Sequence, residues 1–375
     1  MIIHISTYPP EKCGLALYTC DLIRYLRLVN PTQTQKALAI RAFCEEPYGE
    51  DVILSIERDN REAYRKSANS LNANGRVDAV SLQHEFGIFG GKRGFYATDL
   101  VNFLKKPLLT TYHSASPSRS KIEKSILRRI VKASRKNIVL SEIAKRVLVE
   151  ECNASEGSVE VIGHGIHDFQ GDLEASKRKM GLEGRFVLST VGFVGRGKGI
   201  EHVIRALPAV VDRHPDVLYV VAGCAHPSEI KGENELYRRG LMKEVAQHGL
   251  QKHVLFIDKY LPLDEHLRLI QVSDICITPY VECDKTSSGV LSYCIGLMKP
   301  VISSPFPYAK EVLADGRGVL TQPDDRRVLA ECINRLIDSR GMRNGIKEKL
   351  RGYREHMRWL NVAKRYTQLL KEIIG

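Results

Sequence analysis

Short apolar runs alternate with amphipathic segments along most of the 375-residue chain. Short apolar runs bounded by polar or glycine-containing turns predict buried strands, and apolar residues at helical spacing predict helices that cover them. This alternation indicates an α/β protein with parallel sheets covered on both faces. The predicted strands are 2–6, 79–82, 108–112, 137–140, 159–162, 186–191, 218–222, 254–257, 275–277 and 301–303, with helices at 15–28, 200–211, 290–297 and 359–374.

The length of the chain fits two domains, each large enough for its own core. A charged and weakly patterned stretch at 170–184 separates two series of strands, so we place the domain boundary there. We predict a first Rossmann-like domain at 1–172 and a second at 184–355. A C-terminal helix within 356–375 has no strand after it and is predicted to cross back to the first domain.

The composition is that of an ordinary globular protein, with 43% hydrophobic and 27% charged residues. No apolar run approaches the roughly 20 residues of a membrane-spanning helix. The N-terminal MIIHISTYPP reads as a first strand, because it lacks the charged and apolar regions of a secretory signal. Nine scattered cysteines without a CxxC pair predict free thiols, a cytoplasmic location and no zinc site.

The net charge of +12 is concentrated in two windows. Residues 101–150 hold 12 Lys and Arg against 3 Asp and Glu, an excess of 9, and residues 351–375 hold 6 against 2, an excess of 4. In the stretch 118–136, apolar residues recur at helical spacing, so the basic residues occupy the opposite face. This face is either a solvated helix surface or a surface for anionic lipid head groups, an anionic acceptor or nucleic acid.

Several polar residues directly follow predicted strands of the first domain. Lys12 and Gly14 follow the first strand, His84 and Glu85 the second, and His113 the third. In parallel sheets the ligand lies outside the carboxyl ends of the strands. We therefore expect a binding cleft at this edge.

The stretch 278–320 is predicted to contain an anion site. Ser287, Ser288 and Gly289 lie between a buried strand and an apolar helix. The first N–H groups of a helix lack intrahelical partners and carry partial positive charge, and small residues let a phosphate approach them. The alternative is ordinary N-capping of the helix by serine.

A second glycine-rich loop precedes the helix that begins at residue 200. Residues 192–198 fit the phosphate-binding pattern GxxxxGK, and Lys198 is its lysine. The next residue is Gly199, where a nucleotide hydrolase needs Ser or Thr to hold magnesium. The missing hydroxyl counts against hydrolysis, whereas Lys198 remains a phosphate ligand under either interpretation.

The segments QHEFGIFGG, TYHS, GKGIEHVIRALP, VAGCAHP and TSSG, followed by DGRGVL, resemble those of GT-B fold glycosyltransferases of family 4 in order and spacing. The resemblance covers nearly the whole chain. It implies two Rossmann-like domains facing across a cleft. It also implies transfer of a sugar from a nucleotide donor to an acceptor, with retention of anomeric configuration and without a bound metal.

The resemblance assigns roles to individual residues. Lys198 matches the lysine on the donor diphosphate, Arg196 is positioned to replace a family arginine, and His113 matches the histidine near the sugar and leaving group. The family places two glutamates, for the sugar and the ribose, at positions that here hold Lys285 and Tyr293. The full donor-binding set implied is Gly14, Lys198, Arg196, Lys259, Tyr260, Leu261, Lys285, Ser287, Ser288, Gly289 and Tyr293.

The sequence as a whole therefore predicts a hexosyltransferase that uses a UDP- or GDP-sugar, with no other cofactor and no metal. The predicted catalytic residues are His113, Lys198 and Arg196, and the predicted acceptor-binding residues are His84 and Glu85. The acceptor is either lipid-linked or anionic, with peripheral contact of the 118–136 helix at the inner membrane face, or a soluble small molecule. Nucleic acid is the least favoured partner. The alternatives are a catalytically degenerate nucleotide-sugar-binding protein and, less favoured, a P-loop-like ATPase.

Overall fold

A computed structural model describes residues 1–42, 44–169, 171–225, 231–282 and 284–375. His226 and Pro227 of the VAGCAHP segment and Cys283 of the loop before TSSG lie outside the described residues. Each of the eight cysteines that the structure describes is a free thiol.

The N-terminal half of the chain alternates strands and helices. The strands are Ile2–Ser6 (β1), Gln35–Arg41 (β2), Val52–Glu57 (β3), Ala79–His84 (β4), Leu108–Tyr112 (β5), Lys136–Val139 (β6) and Val159–Val161 (β7). The helices are Gly14–Val29 (α1), Arg61–Ala73 (α2), Tyr96–Phe103 (α3), Lys121–Ala133 (α4) and Glu142–Arg146 (α5).

The rest of the chain repeats this alternation and ends in helices. The strands are Phe186–Val191 (β8), Val217–Ala222 (β9), Val254–Ile257 (β10), Ile275–Thr278 (β11), Val301–Ser303 (β12) and Val319–Leu320 (β13). The helices are Leu173–Lys179 (α6), Ile200–Val211 (α7), Lys231–Gln247 (α8), Leu263–Val272 (α9), Gly289–Gly296 (α10), Pro307–Val312 (α11), Arg326–Asp338 (α12), Arg340–Tyr353 (α13) and Trp359–Ile374 (α14).

The chain forms two compact units. The first contains Met1–Gly165, the short segment Asp284–Ser287 and His356–Gly375. The second contains the described residues of Ile166–Cys283 and Ser288–Glu355. Each unit is built on one parallel sheet with buried central strands, as expected for sheets covered on both faces. The architecture is therefore the predicted pair of Rossmann-like units.

The first unit holds a seven-stranded sheet in the order β3-β2-β1-β4-β5-β6-β7. Every pair of neighbouring strands is parallel. Helix α14 belongs to this unit and buries an apolar stripe at helical spacing that includes Trp359, Val362 and Tyr366. A Cβ on Gly165 would come within 2.3 Å of the Trp359 ring, so the tight fit of α14 requires a glycine there.

The second unit holds a six-stranded parallel sheet in the order β10-β9-β8-β11-β12-β13. This unit begins at Ile166, before the charged stretch that suggested the boundary. Ile166 packs against Gly296, and Asp168 pairs with Arg354, so both residues contact the second unit. Lys177 of α6 pairs with Asp274, which ties the charged stretch itself to the second sheet.

Candidate functional site

Each sheet has one position where the chain reverses its direction of winding. In the first sheet, β1 and β4 are neighbours although β2 and β3 lie between them in sequence. In the second sheet the same holds for β8 and β11. The carboxyl ends of such strands flank a crevice, which is where open α/β sheets bind ligands. The candidate residues of the two units follow these strands and are described separately.

The loop after β8 is shaped by glycines that approach other backbone segments closely. Gly199 has a φ of +63°, and a Cβ there would meet the carbonyl oxygen of Pro279 at 2.0 Å. Gly223 has a φ of +138° and would meet the carbonyl oxygen of Gly192 at the same distance. A Cβ on Gly192 itself would come within 3.2 Å of Val290 in the first turn of α10. The loop therefore lies directly beside the start of that helix.

Lys198 and Arg196 leave this loop in different environments. The Lys198 ammonium lies 4.4 Å from the centre of the buried Tyr280 ring, within the range of a cation–π contact. Arg196 is exposed, and its guanidinium carbon lies 5.7 Å from the centre of the Tyr237 ring. The crevice of the second unit thus carries a positively charged lysine beside the N-terminus of α10.

Tyr293 and His266 are two further residues of the second unit, and His266 lies near Lys198. Tyr293 is buried and packs edge-on against His266, with ring centres 5.8 Å apart, and against His167. Burial and the nearby charge of Lys198 lower the pKa of His266 to about 4. Tyr293 is therefore a packed aromatic ring.

The residues after β10 lie at the carboxyl edge of the second sheet, like the glycine loop after β8. Lys259 pairs with Glu265 on the surface, and Leu261 is buried. The Tyr260 ring lies 6.3 Å from the ring of Phe193, which follows β8. The Phe193 and Tyr260 rings, tilted by 37° to each other, provide an aromatic surface at the glycine loop.

The two serines before α10 are engaged with the protein itself. Ser288 is the N-cap of α10, and its hydroxyl accepts a hydrogen bond from the Leu291 N–H. The Ser287 hydroxyl donates to the carbonyl oxygen of His113 at 2.6 Å. N-capping, the alternative considered for the sequence, is thus what the Ser288 side chain does. An anion at this helix would be held by the backbone N–H groups that begin at Gly289.

The segment that contains Lys285 belongs to the first unit. Its neighbour Thr286 is buried, and the carbonyl oxygen of Thr286 accepts a hydrogen bond from the Ser141 hydroxyl at 2.9 Å. Asp284 accepts a hydrogen bond from Ser118. Lys285 is therefore held on the unit that contains His113, whereas Lys198 belongs to the other unit.

His113 follows β5 at the carboxyl edge of the first sheet. Its Nε2 lies 3.0 Å from the Gln83 side-chain oxygen, and the edge of its ring faces Tyr18 at 4.7 Å between centres. Desolvation by the surrounding protein, with smaller contributions from His164 and His84, lowers the pKa of His113 to about 3. His113 is therefore a neutral imidazole at physiological pH.

Gly14 begins α1 at the same edge. It is exposed, and a Cβ built on it would meet no atom within 4 Å. Cys13 precedes it as the N-cap, accepts a hydrogen bond from the Ala16 N–H, and contacts the Thr7 hydroxyl. Burial raises the pKa of the Cys13 thiol, so this cysteine serves the helix start and not nucleophilic chemistry.

The structure corrects the acceptor assignment of His84. Its side chain is fully buried among Phe86, Phe89 and Tyr112, and burial lowers its pKa to about 3. A side chain in the core is not presented to an acceptor, because the aromatic rings of Phe86 and Phe89 after β4 and of Tyr112 at the end of β5 cover it. Glu85 is partly exposed, and we retain it as the acceptor candidate.

Several residues of these sites did not stand out in the sequence. Gln83, Tyr18, Tyr280 and His266 all lie on regular strands and helices or directly after them, where polar and aromatic residues are ordinary. For Gln83 the usable signal was its position beside His84 at a strand end. Among the described residues, no group of three His, Cys, Asp or Glu side chains is placed to hold a metal ion. No helix in the described ranges is long and apolar enough to cross a membrane.

A sequence model of the family described as glycosyl transferases group 1 matches residues 172–352. This stretch of the chain is similar to that family. The matched range contains the glycine loop with Lys198, the strand end before Tyr280, and helix α10. The candidate residues of the second unit described above therefore lie within the range that is similar to group 1 glycosyltransferases.

Individual relatives are distant in sequence. Spore coat protein SA of Bacillus subtilis is 28% identical over 195 residues, covering 51% of this chain and 50% of that protein. A D-inositol 3-phosphate glycosyltransferase of Corynebacterium urealyticum is 23% identical over 205 residues, covering 53% of this chain and 46% of the relative. The matched part of the chain thus spans about half the length of these two relatives.

The fold of this chain is shared by solved structures over nearly its full length. The Anabaena protein HepE, solved in complex with UDP, superposes with a TM-score of 0.76 and 16% identity. The match covers 99% of this chain and 100% of HepE. At this identity the similarity establishes the fold that the two proteins share.

Proposed function

We propose that this chain is a retaining glycosyltransferase that moves a hexose from a UDP- or GDP-sugar to an acceptor hydroxyl, without a bound metal or other cofactor. The observation that carries the proposal is Lys198, which lies on a tight glycine loop beside the start of α10, within the range matched by the group 1 family. A nucleotide diphosphate is the ligand that a lysine, backbone N–H groups and a helix N-terminus bind together.

In the proposed reaction, the bond between the sugar anomeric carbon and the diphosphate oxygen breaks while the acceptor oxygen bonds to the same face of that carbon. Negative charge grows on the departing diphosphate. Lys198, the first N–H groups of α10 and the exposed Arg196 stabilise this charge, and they do so more in the transition state than in the ground state. The acceptor proton passes to a phosphate oxygen of the leaving group.

The two units have separate tasks in this proposal. The second unit holds the nucleotide, with the Phe193 and Tyr260 rings and the backbone from Lys259 to Leu261 beside the base. The first unit supplies His113 near the sugar and Glu85 near the acceptor. The neighbour HepE was solved with UDP, and this supports a nucleotide donor of the same kind.

The proposed donor is tested by thermal stabilisation of the whole chain with UDP, GDP and their sugar conjugates, with and without magnesium. A ligand present at 100 times its Kd adds about 2.7 kcal/mol to the free energy of unfolding. We expect the melting temperature to rise by roughly 5 to 10 °C for a unit of this size. The rise should be independent of metal and largest with one sugar conjugate.

Other outcomes of this experiment would support one of the two alternative functions. A rise only with magnesium and ATP would support a P-loop-like ATPase. Binding of a nucleotide sugar without hydrolysis or transfer would support a degenerate binding protein. No rise with any nucleotide would contradict the proposed donor.

We further propose that helix α4 contacts anionic lipid head groups. This contact would place the enzyme peripherally at the inner face of the cytoplasmic membrane. It would also favour a lipid-linked acceptor in glycan or glycolipid synthesis. Helix α4 begins with a capping box between Ser120 and Glu123, which commits its one carboxylate to the helix start. Four of its apolar residues are buried against the rest of the first unit, namely Ile126, Leu127, Ile130 and Val131, whereas Ile122 is exposed. Its outward face carries the exposed Lys121, Arg128, Arg129 and Lys132.

Binding to vesicles tests this surface. Each basic residue near an anionic membrane contributes about 1 kcal/mol, so the double variant Lys121→Ala, Lys132→Ala is expected to bind anionic vesicles about 30-fold more weakly. Wild-type binding should also fall as salt is raised. The matched control is Lys243→Ala, Lys252→Ala, which removes two exposed lysines from the second unit. Equal losses in both double variants would refute a specific role for α4 and leave a soluble acceptor.

A further inference from the structure

His113 is held by contacts on four sides within the first unit. Its backbone N–H donates to the His84 carbonyl oxygen at 3.0 Å, and its backbone carbonyl oxygen accepts from the Ser287 hydroxyl at 2.6 Å. Its ring faces Tyr18 edge-on, with an interplanar angle of 84°. The remaining contact is made by Gln83, whose side-chain oxygen lies 3.0 Å from Nε2. Together these contacts leave the imidazole little freedom to rotate.

The orientation of the Gln83 amide determines which ring nitrogen carries the proton. Gln83 is fully buried on β4, and its amide nitrogen donates to the Ser81 hydroxyl at 3.2 Å. In the structure the amide oxygen faces the His113 Nε2. Because that oxygen only accepts hydrogen bonds, the His113 Nε2 must carry the proton. The lone pair of the neutral ring is then on Nδ1.

The Tyr18 ring is itself fixed by the C-terminal helix. The Tyr18 hydroxyl is 3.0 Å from the hydroxyl of Tyr366 in α14, and Tyr366 also bonds to Thr111 on β5 at 2.8 Å. All three side chains are buried. The side of the His113 ring that contacts Tyr18 is therefore covered by a side chain that is itself held in place.

We propose that Gln83 is a positioning residue, which fixes His113 as the neutral imidazole protonated on Nε2 and so leaves Nδ1 to accept a hydrogen bond from a hydroxyl of the sugar substrate. The inference rests on the proposed function for the identity of the substrate. His113 is partly exposed, and Nδ1 is the polar atom of the ring that the protein contacts above leave for a ligand.

The groups that face His113 from each neighbouring element agree with this assignment. Tyr18 comes from α1, His84 and Gln83 from β4, His164 from the loop after β7, and Ser287 from the segment joined to this unit. None of these five side chains is a carboxylate that would stabilise an imidazolium. In this proposal the His113 Nδ1 accepts a hydrogen bond from a substrate hydroxyl, and His113 does not act as the acid that protonates the leaving group.

The proposal is tested by two-bond ¹H–¹⁵N spectra of the histidine-labelled full chain, with the His113 signals identified by their loss in His113→Asn. We expect the wild-type pattern of a neutral ring protonated on Nε2, unchanged from pH 8 to pH 5. In Gln83→Glu, a buried carboxylate next to Nε2 should raise the pKa of His113 into this range, so the signal should titrate. In Gln83→Met, the Nε2 signal should shift because its hydrogen-bond acceptor is lost.

The activity measurement uses the same variants. Turnover of Gln83→Glu should fall tenfold or more between pH 8 and pH 6, because protonation of Nδ1 removes the acceptor, whereas wild-type turnover should not fall in this way. Gln247→Glu, an exposed substitution on α8, controls for the added charge. Thermal melting of each variant reports its folding, and Gln83→Met keeps the spectral test available if the glutamate variant does not fold.

Either of two spectra would overturn the proposal without any substrate being present: a wild-type His113 that titrates near pH 6.5, or one protonated on Nδ1. A third overturning result is a His113 signal that is the same in Gln83→Met as in the wild type. If the spectra are as expected but the wild type transfers no sugar, the proposed function fails and the tautomer assignment stands.

Discussion

Replacing Lys198 with alanine is expected to lower the turnover of sugar transfer at least about a hundredfold. Loss of one donor that stabilises a developing oxyanion costs about 2.7 to 4 kcal/mol of transition-state stabilisation. We expect a loss of this size for Lys198, because its ammonium group lies 4.4 Å from the centre of the Tyr280 ring beside the glycine loop, where it can interact with the diphosphate. The measurement is steady-state transfer with the nucleotide sugar that stabilises the protein best.

The decisive comparison is between turnover and folding. Lys198→Ala removes a cation–π contact worth about 0.5 to 2 kcal/mol, so its melting temperature should fall only slightly. The control Lys243→Ala removes an exposed lysine of α8 in the same unit and should keep both turnover and stability. Turnover of Lys198→Ala close to that of the wild type would exclude Lys198 from the diphosphate site.

The sequence predicted the architecture because the two sheets are parallel and buried on both faces. Strands such as β1, β5 and β8 appear as continuous apolar runs, and their predicted and observed bounds agree. The strands β2 and β3 were not predicted, and β3 is an edge strand of the first sheet. The strand β3 alternates exposed and buried positions over only six residues, and the neighbours that define an edge strand are not visible in its own sequence.

The sequence suggested candidate site residues through the rule that ligands bind at the carboxyl ends of parallel strands, through the GxxxxGK pattern and through the resemblance to a family. It did not indicate which side chains are already occupied by protein contacts. Ser287 and Ser288 look like phosphate ligands, but their hydroxyls bond to His113 and Leu291. Long-range partners were equally invisible, since the contact between the Tyr18 and Tyr366 hydroxyls joins residues 348 positions apart.

Acidification from pH 6 to pH 5 is expected to destabilise the fold by about 2 to 3 kcal/mol through His4 and His84 alone. Both side chains are fully buried, and burial lowers their pKa values from 6.5 to about 4 and about 3. Below pH 6.5 the unfolded chain binds protons at these residues and the folded chain does not. Stability is therefore fully present above pH 6.5 and decreases as the pH falls, by up to about 1.4 kcal/mol per pH unit for each histidine.

The variant His84→Leu isolates one of these contributions. Among the described residues, neither ring nitrogen of His84 has a hydrogen-bond partner, so leucine leaves no polar group of the protein unsatisfied. We expect the fall in unfolding free energy between pH 6 and pH 5, measured by urea denaturation, to shrink by about 1.2 kcal/mol. The core substitution Ile138→Val should lower stability by about 0.5 to 1.5 kcal/mol at both pH values and leave the pH dependence unchanged. An unchanged slope in His84→Leu would show that His84 is charged in the folded protein, which would require a counter-charge or water beside a ring that the structure encloses in aromatic side chains.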